Sequence, residues 1–251
     1  MKICDAHIHV GQFYNIHTSP AQLLRFFDGV GVERYAVSST SICEGNYRKV
    51  LYELSRLDEI SGNRMYPVLW ILPQMFYDGG MDFFLTSGLA WKCLKIHPQL
   101  NPDAWKPRGK NMHKLLEVAE TINLPILIHT GDFEFCHAGL YKDLAKKNPN
   151  ITFILAHGRP IDETISVMKA CDNVYTDTAF MPAENVAMLC GAGLSERVLW
   201  GTDYPIPKYY YRGKPMRKYY SNLLDSLKKM VSESDFNHIT HENFLSVFAN
   251  K

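Results

Sequence analysis

Short β-prone runs alternate with amphipathic helical stretches along this chain, and polar residues interrupt the apolar rhythm at recurring places. Cys4–Val10 opens as a strand. In an extended strand alternate side chains share a face, which groups Asp5, His7 and His9 on one side and Cys4, Ala6, Ile8 and Val10 on the other. Turn-like residues follow through Pro20, then a helical pattern over 21–27 that stops at Gly29 and Gly31. Residues 34–40 read as a second strand, 47–60 as a longer helix, 65–73 as a third strand, 81–85 as a weak helix and 91–98 as a fourth strand. The second half repeats the pattern more clearly. Helices over 112–121, 140–147, 160–170 and 182–190 alternate with strands over 124–131, 151–158, 174–179 and 198–205.

Eight strand-helix units is the count of a closed (β/α)8 TIM barrel, an α/β fold. The strands recur at about the 30-residue spacing that βαβ units require. No linker or low-complexity tract divides the 251 residues, so the expectation is a single domain over 1–251. The alternative is an open, doubly wound sheet. Against it, no glycine-rich fingerprint follows the first strand, and the polar residues sit at the ends of many strands instead of one switch point.

Hydrophobic residues make up 46% and charged residues 21%, enough apolar mass for a sizeable core. Lys and Arg total 27 against 26 Asp and Glu, a net charge of +1, which offers no broad field for nucleic acid or a membrane surface. The expected partner is a small-molecule substrate, and assembly into a homo-oligomer stays open. The six cysteines are scattered without a C-x-x-C pair, which reads as reduced, buried thiols. With no secretory pattern and no apolar run of membrane-spanning length, the expected location is cytoplasmic.

The polar residues that break the strand patterns lie at C-terminal ends: His7 and His9, Lys95 and His97, His129, His157, and Asp203. In a barrel those ends converge on one mouth, where such sites are built. A single strand-end histidine is ordinarily a hydrogen-bonded core residue. The set is the signal, because independent placement would scatter these side chains over both ends. Imidazoles with a carboxylate suit Zn2+ or another first-row divalent ion with an open position for water. Water on such an ion is a nucleophile near neutral pH; Asp203 beside it can carry its proton, and His157 can polarise a carbonyl or stabilise an oxyanion.

These residues resemble the metal-dependent amidohydrolase superfamily, and within it the branch of aminocarboxymuconate-semialdehyde and resorcylate decarboxylases and many uncharacterised hydrolases. Asp5-Ala6-His7-Ile8-His9 is similar to the family's D-x-H-x-H first strand, and Gly201-Thr202-Asp203-Tyr204-Pro205 to its G-[ST]-D-x-P eighth strand. His129 and His157 resemble its fifth- and sixth-strand histidines, and Ile239–Phe244 its I-x-x-E-N segment opening the last helix. The resemblance implies that His7, His9, His129 and Asp203 bind the metal, with Asp203 and His157 catalytic. Lys95, His97, Arg159 and Tyr204 are the substrate-binding candidates. Lys95 is expected as an unmodified ammonium contacting a substrate anion; a carboxylated lysine bridging two metals and a structural ion pair are its other readings. Residues 209–220, aromatic and basic, read as a loop or lid over the mouth. The function expected is hydrolysis of an amide, lactone or related carbonyl bond in a small anionic molecule. The alternative is non-oxidative decarboxylation of an aromatic or unsaturated acid. A deoxyribonuclease lacks its fourth-strand carboxylate here, and a binding protein on a decayed barrel sits poorly with so complete a ligand set.

Overall fold

The computed structural model describes residues 2–249. Among the described residues nine strands run in chain order: β1 (Cys4–Phe13), β2 (Ile16–Thr18), β3 (Arg34–Ser39), β4 (Met65–Trp70), β5 (Cys93–Ile96), β6 (Ile126–His129), β7 (Phe153–Ala156), β8 (Val174–Asp177) and β9 (Val198–Leu199). All but β2 are parallel neighbours in the order β1-β3-β4-β5-β6-β7-β8-β9. Each crossover carries a helix: α1 (Pro20–Val30), α2 (Tyr47–Ser61), α3 (Gly80–Leu85), α4 (Lys110–Ile122), α5 (Lys142–Lys147), α6 (Ile161–Ala170) and α7 (Ala183–Gly191). After β9 come α8 (Pro207–Tyr210), α9 (Met216–Met230) and α10 (Glu233–Asn237).

Main-chain bonds close the sheet on itself. Ala6 N–H donates to Trp200 O, Asp203 N–H to His7 O and His9 N–H to Tyr204 O, each at 2.7 Å. The fold is therefore the expected (β/α)8 barrel. The helices start and stop where their caps dictate. At α1, Ser19 Oγ accepts from Gln22 N–H while the Gln22 side chain accepts from Ser19 N–H, Pro20 supplies a preset φ, and Gly31 ends the helix at φ 74°.

Two features of β1 depart from the sequence expectation. The strand runs on past the first turn to Phe13 and returns antiparallel as β2, pairing Gly11 with Thr18 and Phe13 with Ile16. Gly11 permits this, because its φ is +98° and a Cβ there would lie 2.6 Å from Ser41 Oγ and 2.7 Å from Glu53 Oε2. The second departure is a bulge: Asp5 pairs with Tyr35 but Ile8 with Val37, so β1 spends one extra residue between them. The alternation slips there. Cys4 and Ala6 pack in the barrel interior while Ile8 and Val10 pack among the helices, and Asp5 does not share a face with His7 and His9.

Asp5 instead lies under the helix layer, fully buried. Its carboxylate accepts from Thr202 Oγ1 at 2.7 Å, Thr202 N–H at 3.2 Å, His7 N–H at 3.2 Å and Tyr220 Oη at 3.3 Å. The first strand is thereby tied to the last. Burial pushes this carboxyl up to about 7 against the pull of those four donors.

The inner core is filled by small and medium side chains from nearly every strand, among them Cys4, Ala6, Ala36, Val68, Cys93, Leu127, Ile154 and Leu199. Phe244, Val247 and Phe248 from the wide π-type turns over 238–249 pack with them. Asn243 holds that segment in place by donating from Nδ2 to Val198 O at 2.6 Å and Ser195 O at 2.8 Å. None of the six cysteines is in a disulfide, and Cys43 is exposed where a buried thiol was expected. Among the described residues no helix is long and apolar enough to cross a membrane.

Candidate metal and active site

The strand ends bring one connected cluster together. His7 and His9 come from β1, Lys95 from β5, His129 from the end of β6, His157 from just after β7, Asp177 from the end of β8 and Asp203 from just after β9. His157 and Asp203 hold φ of 70° and 55°, the left-handed region that a residue other than glycine rarely adopts without being held there. At Asp203 the chain turns over the mouth in this strained form and closes the barrel through its N–H in the same step.

His9 Nε2 lies 2.8 Å from Asp203 Oδ1, and His7 Nε2 lies 3.3 Å from the same oxygen. Lys95 Nζ sits between the two rings, 2.8 Å from His7 Nε2 and 3.1 Å from His9 Nε2. An ammonium only donates, so both Nε2 atoms present lone pairs and both rings carry their proton on Nδ1. His7 Nδ1–H then donates to Asp177 Oδ2 at 2.8 Å and His9 Nδ1–H to Ser38 Oγ at 2.9 Å. Two imidazole lone pairs and a carboxylate oxygen that converge on one spot lack a donor among themselves. They suit a cation, and in the structure the Lys95 ammonium takes that place between the two rings. The three ligand atoms lie within 4.8 Å of one another, so these residues fit a divalent ion.

Charge states agree with that use. Burial and the neighbouring Lys95 push His9 down to about 3, and burial takes His157 down to about 4. Burial raises the Asp203 carboxyl, but His7, His9 and His157 outweigh it and hold Asp203 well below the usual carboxylate range. Lys95 is lowered by burial to about 8 although Asp203 and Asp177 pull the other way. A neutral His9 beside an ionised Asp203 is what ligation requires.

His129 stands one ring further out. Its Nδ1 is 3.1 Å from His157 Nε2, and its Nε2 is 2.8 Å from the Gln99 side chain. Because His157 Nδ1 faces Ala179 O at 3.0 Å, that nitrogen carries the proton, and His157 Nε2 is an acceptor. His97 is stacked between Trp70 and His129, at ring distances of 5.5 and 3.7 Å, and forms a wall rather than a ligand. Above the cluster a cavity of about 610 Å³ opens, lined by His9, Trp70, Lys95, His97, His129, His157 and Asp203 at its base and by Arg159, Phe180 and Tyr210 higher up. The Arg159 guanidinium makes long bonds, 3.4 Å to Asp132 Oδ2 and 3.4 Å to Phe180 O.

The structure thus gathers His7, His9, Lys95, His157 and Asp203 tightly, with His97, His129 and Arg159 on the walls. Tyr204 lies elsewhere, buried and stacked on Phe26 at 3.8 Å, and is not among the cavity-lining residues. Nor is 209–220 one loop: Tyr210 and Tyr211 line the cavity, but 216–220 belong to α9 and Tyr220 is buried against Asp5 and Trp200. Asp177 was missed. Its signal was the shared pattern itself, a polar residue closing a strand, in a strand too short to carry a recognisable motif.

The sequence model of the amidohydrolase family matches residues 87–243. No curated protein matches the chain. Among solved structures, an uncharacterised TIM-barrel protein from Bordetella bronchiseptica superposes with a TM-score of 0.75 at 15% identity, covering 98% of each chain. An amidohydrolase from Burkholderia multivorans with bound zinc gives a TM-score of 0.73 at 9% identity, covering 99% of each chain. A probable 2-pyrone-4,6-dicarboxylic acid hydrolase from Acinetobacter baumannii with citric acid bound gives 0.71 at 12% identity, covering 99% of this chain and 100% of the other. At these identities the likeness is one of fold.

Proposed function

Because the chain belongs to the amidohydrolase family, we propose that it is a metal-dependent hydrolase of an amide, lactone or related carbonyl bond in a small anionic molecule. The observation that carries this reading is the convergence of His7 Nε2, His9 Nε2 and Asp203 Oδ1 at the barrel mouth. These three residues would hold a divalent ion, zinc by the donor set; His129 is assigned beside them by its motif. A divalent ion bound there supplies Lewis acidity, polarising a carbonyl and making water a nucleophile near neutral pH.

The chain's own groups do the rest. Asp203, ionised at neutral pH, accepts the proton of the attacking water and returns it to the leaving group. His157 serves as an acceptor at Nε2, since Ala179 O fixes its proton on Nδ1. Lys95 and Arg159 place positive charge at the base and on the wall of the cavity, which suits a substrate carboxylate. The flat wall of Trp70, His97 and His129 beside them keeps a second reading open, decarboxylation of a planar unsaturated acid.

Protein purified without added metal should contain about one divalent ion per chain, and His9→Ala should lose most of it. Unchanged metal content in that variant rejects the site. Lactones and amides bearing a carboxylate are then assayed beside aromatic acids: turnover of the first group supports hydrolysis, and release of carbon dioxide from the second moves the enzyme to the lyase reading.

A further inference from the structure

Asp177 closes β8 with a fully buried carboxylate whose two oxygens serve different histidines. Oδ2 accepts from His7 Nδ1–H at 2.8 Å. Oδ1 accepts from the backbone N–H groups of His157 and Ala179, each at 3.0 Å. The first bond leaves the His7 Nε2 lone pair facing Asp203 and Lys95; the second clamps the chain at His157, whose φ is 70°. The Ala179 carbonyl then accepts a hydrogen bond from His157 Nδ1–H. One carboxylate therefore sets the ring of one histidine and the backbone of another.

The surroundings are shaped for it. A Cβ on Gly201 would come within 3.1 Å of His7 Cβ and 3.2 Å of Asp177 Cβ, so the glycine lets the two approach. Asp177 also falls in a second set of potential ligand atoms, with His7 and His157. Its oxygens are already taken by three N–H donors, and the His7 nitrogen it meets is Nδ1, which carries the proton.

We infer that Asp177 is a positioning residue: it locks His7 in the tautomer that can ligate through Nε2 and holds the chain that aims His157 at the same site. This rests on the proposed reading of His7 as a metal ligand and His157 as an acid/base group. A carboxylate partner on the far nitrogen of a ligating histidine orients the ring and raises its basicity, and its loss typically costs 10–100-fold in affinity.

Asp177→Asn separates this role from mere bracing. The amide oxygen can keep the two backbone donors, which outnumber the single ring, and the NH2 group then faces His7 Nδ1 and favours the wrong tautomer. The expected result is a fold and melting temperature close to wild type with zinc affinity, measured by chelator competition, reduced about 10–100-fold. The 15N spectrum of metal-free wild-type protein labelled at histidine should show His7 protonated on Nδ1 and bare at Nε2. The variant should move His7 toward Nε2–H. A wild-type His7 found as Nε2–H overturns the inference whatever the variant does. So does a variant with unchanged zinc affinity and an unchanged His7 spectrum, even if its melting temperature falls. Two zinc ions per wild-type chain falling to one in Asp177→Asn would make Asp177 a ligand and also overturn it. Wild-type zinc affinity in His9→Ala would reject the metal site itself, and the His7 spectrum then still decides the tautomer.

Discussion

At the scale of single residues the chemistry turns on which atoms offer lone pairs. Asp203 holds Oδ1 against both His7 and His9, and its N–H closes the barrel. Asp203→Asn keeps that backbone bond and an oxygen able to approach a metal, but the amide cannot carry a proton. The variant should fold, retain much of its metal and lose about 10²-fold or more in kcat, the scale of removing a positioned acid/base group, with a smaller change in KM. Full turnover in folded, metallated variant protein would remove Asp203 from the mechanism. That His7, His9, His157 and Asp203 meet was legible in sequence because each lies within β1 or just past the C-terminal end of a strand, and in a barrel these positions converge on one mouth. Asp177 was not, because its partner His7 is 170 positions away and nothing beside it marks the pairing. Tyr204 misled for the opposite reason. It follows Asp203 directly, yet the turn at Asp203 sends its ring onto Phe26 and away from the cavity.

At the scale of elements the strand and helix order follows from periodicity, whereas the phase within β1 does not. Strict alternation places Asp5 with the histidines, and the bulge moves it beneath the helices. A bulge is decided by the register of the neighbouring strand, which a single strand's pattern does not contain. This gives Asp5 a structural rather than chemical task. Asp5→Ala leaves the Thr202 and His7 amides and two hydroxyls without their acceptor, and unpaired buried donors cost about 1–3 kcal/mol each before any rearrangement. The expected outcome is a loss of about 3 kcal/mol or more in urea unfolding. A variant as stable as wild type would show that the carboxylate does not hold β1 to the end of β9. The β1-β2 hairpin escaped notice for a related reason: residues 11–18 look turn-like, and only the contacts of Gly11 with Ser41 and Glu53 show why the strand continues. Gly11→Ala should destabilise by about 1–3 kcal/mol, the range for strain at such a backbone position, and an unchanged unfolding midpoint counts against that account.

At the scale of the whole molecule the barrel separates what holds it together from what it does. The mouth gathers strained backbone, buried charge and a cavity; the inner core farther along the strands is filled by Phe244, Val247 and Phe248 against small strand residues. Buried polar groups without compensation are destabilising, and at the mouth their mutual hydrogen bonds and the Lys95 ammonium supply the compensation. In the inner core stability rests mainly on packing. Phe244 is 1% exposed and meets Tyr66 at 5.1 Å and Phe248 at 4.8 Å between ring centres. Phe244→Ala removes that ring from a site the rigid barrel has little freedom to collapse, at a cost of about 3–5 kcal/mol. For a chain of this size that lowers the melting temperature by on the order of 10 °C. No side chain of the metal cluster touches Phe244 through these contacts, so the variant that remains folded at low temperature should bind zinc as wild type does. Calorimetry and chelator competition on the same preparation measure both. A melting temperature within a degree or two of wild type would show that the aromatic cluster is not what fills the inner core. A parallel fall in zinc affinity would show that the two regions are coupled through the strands, against the separation argued here.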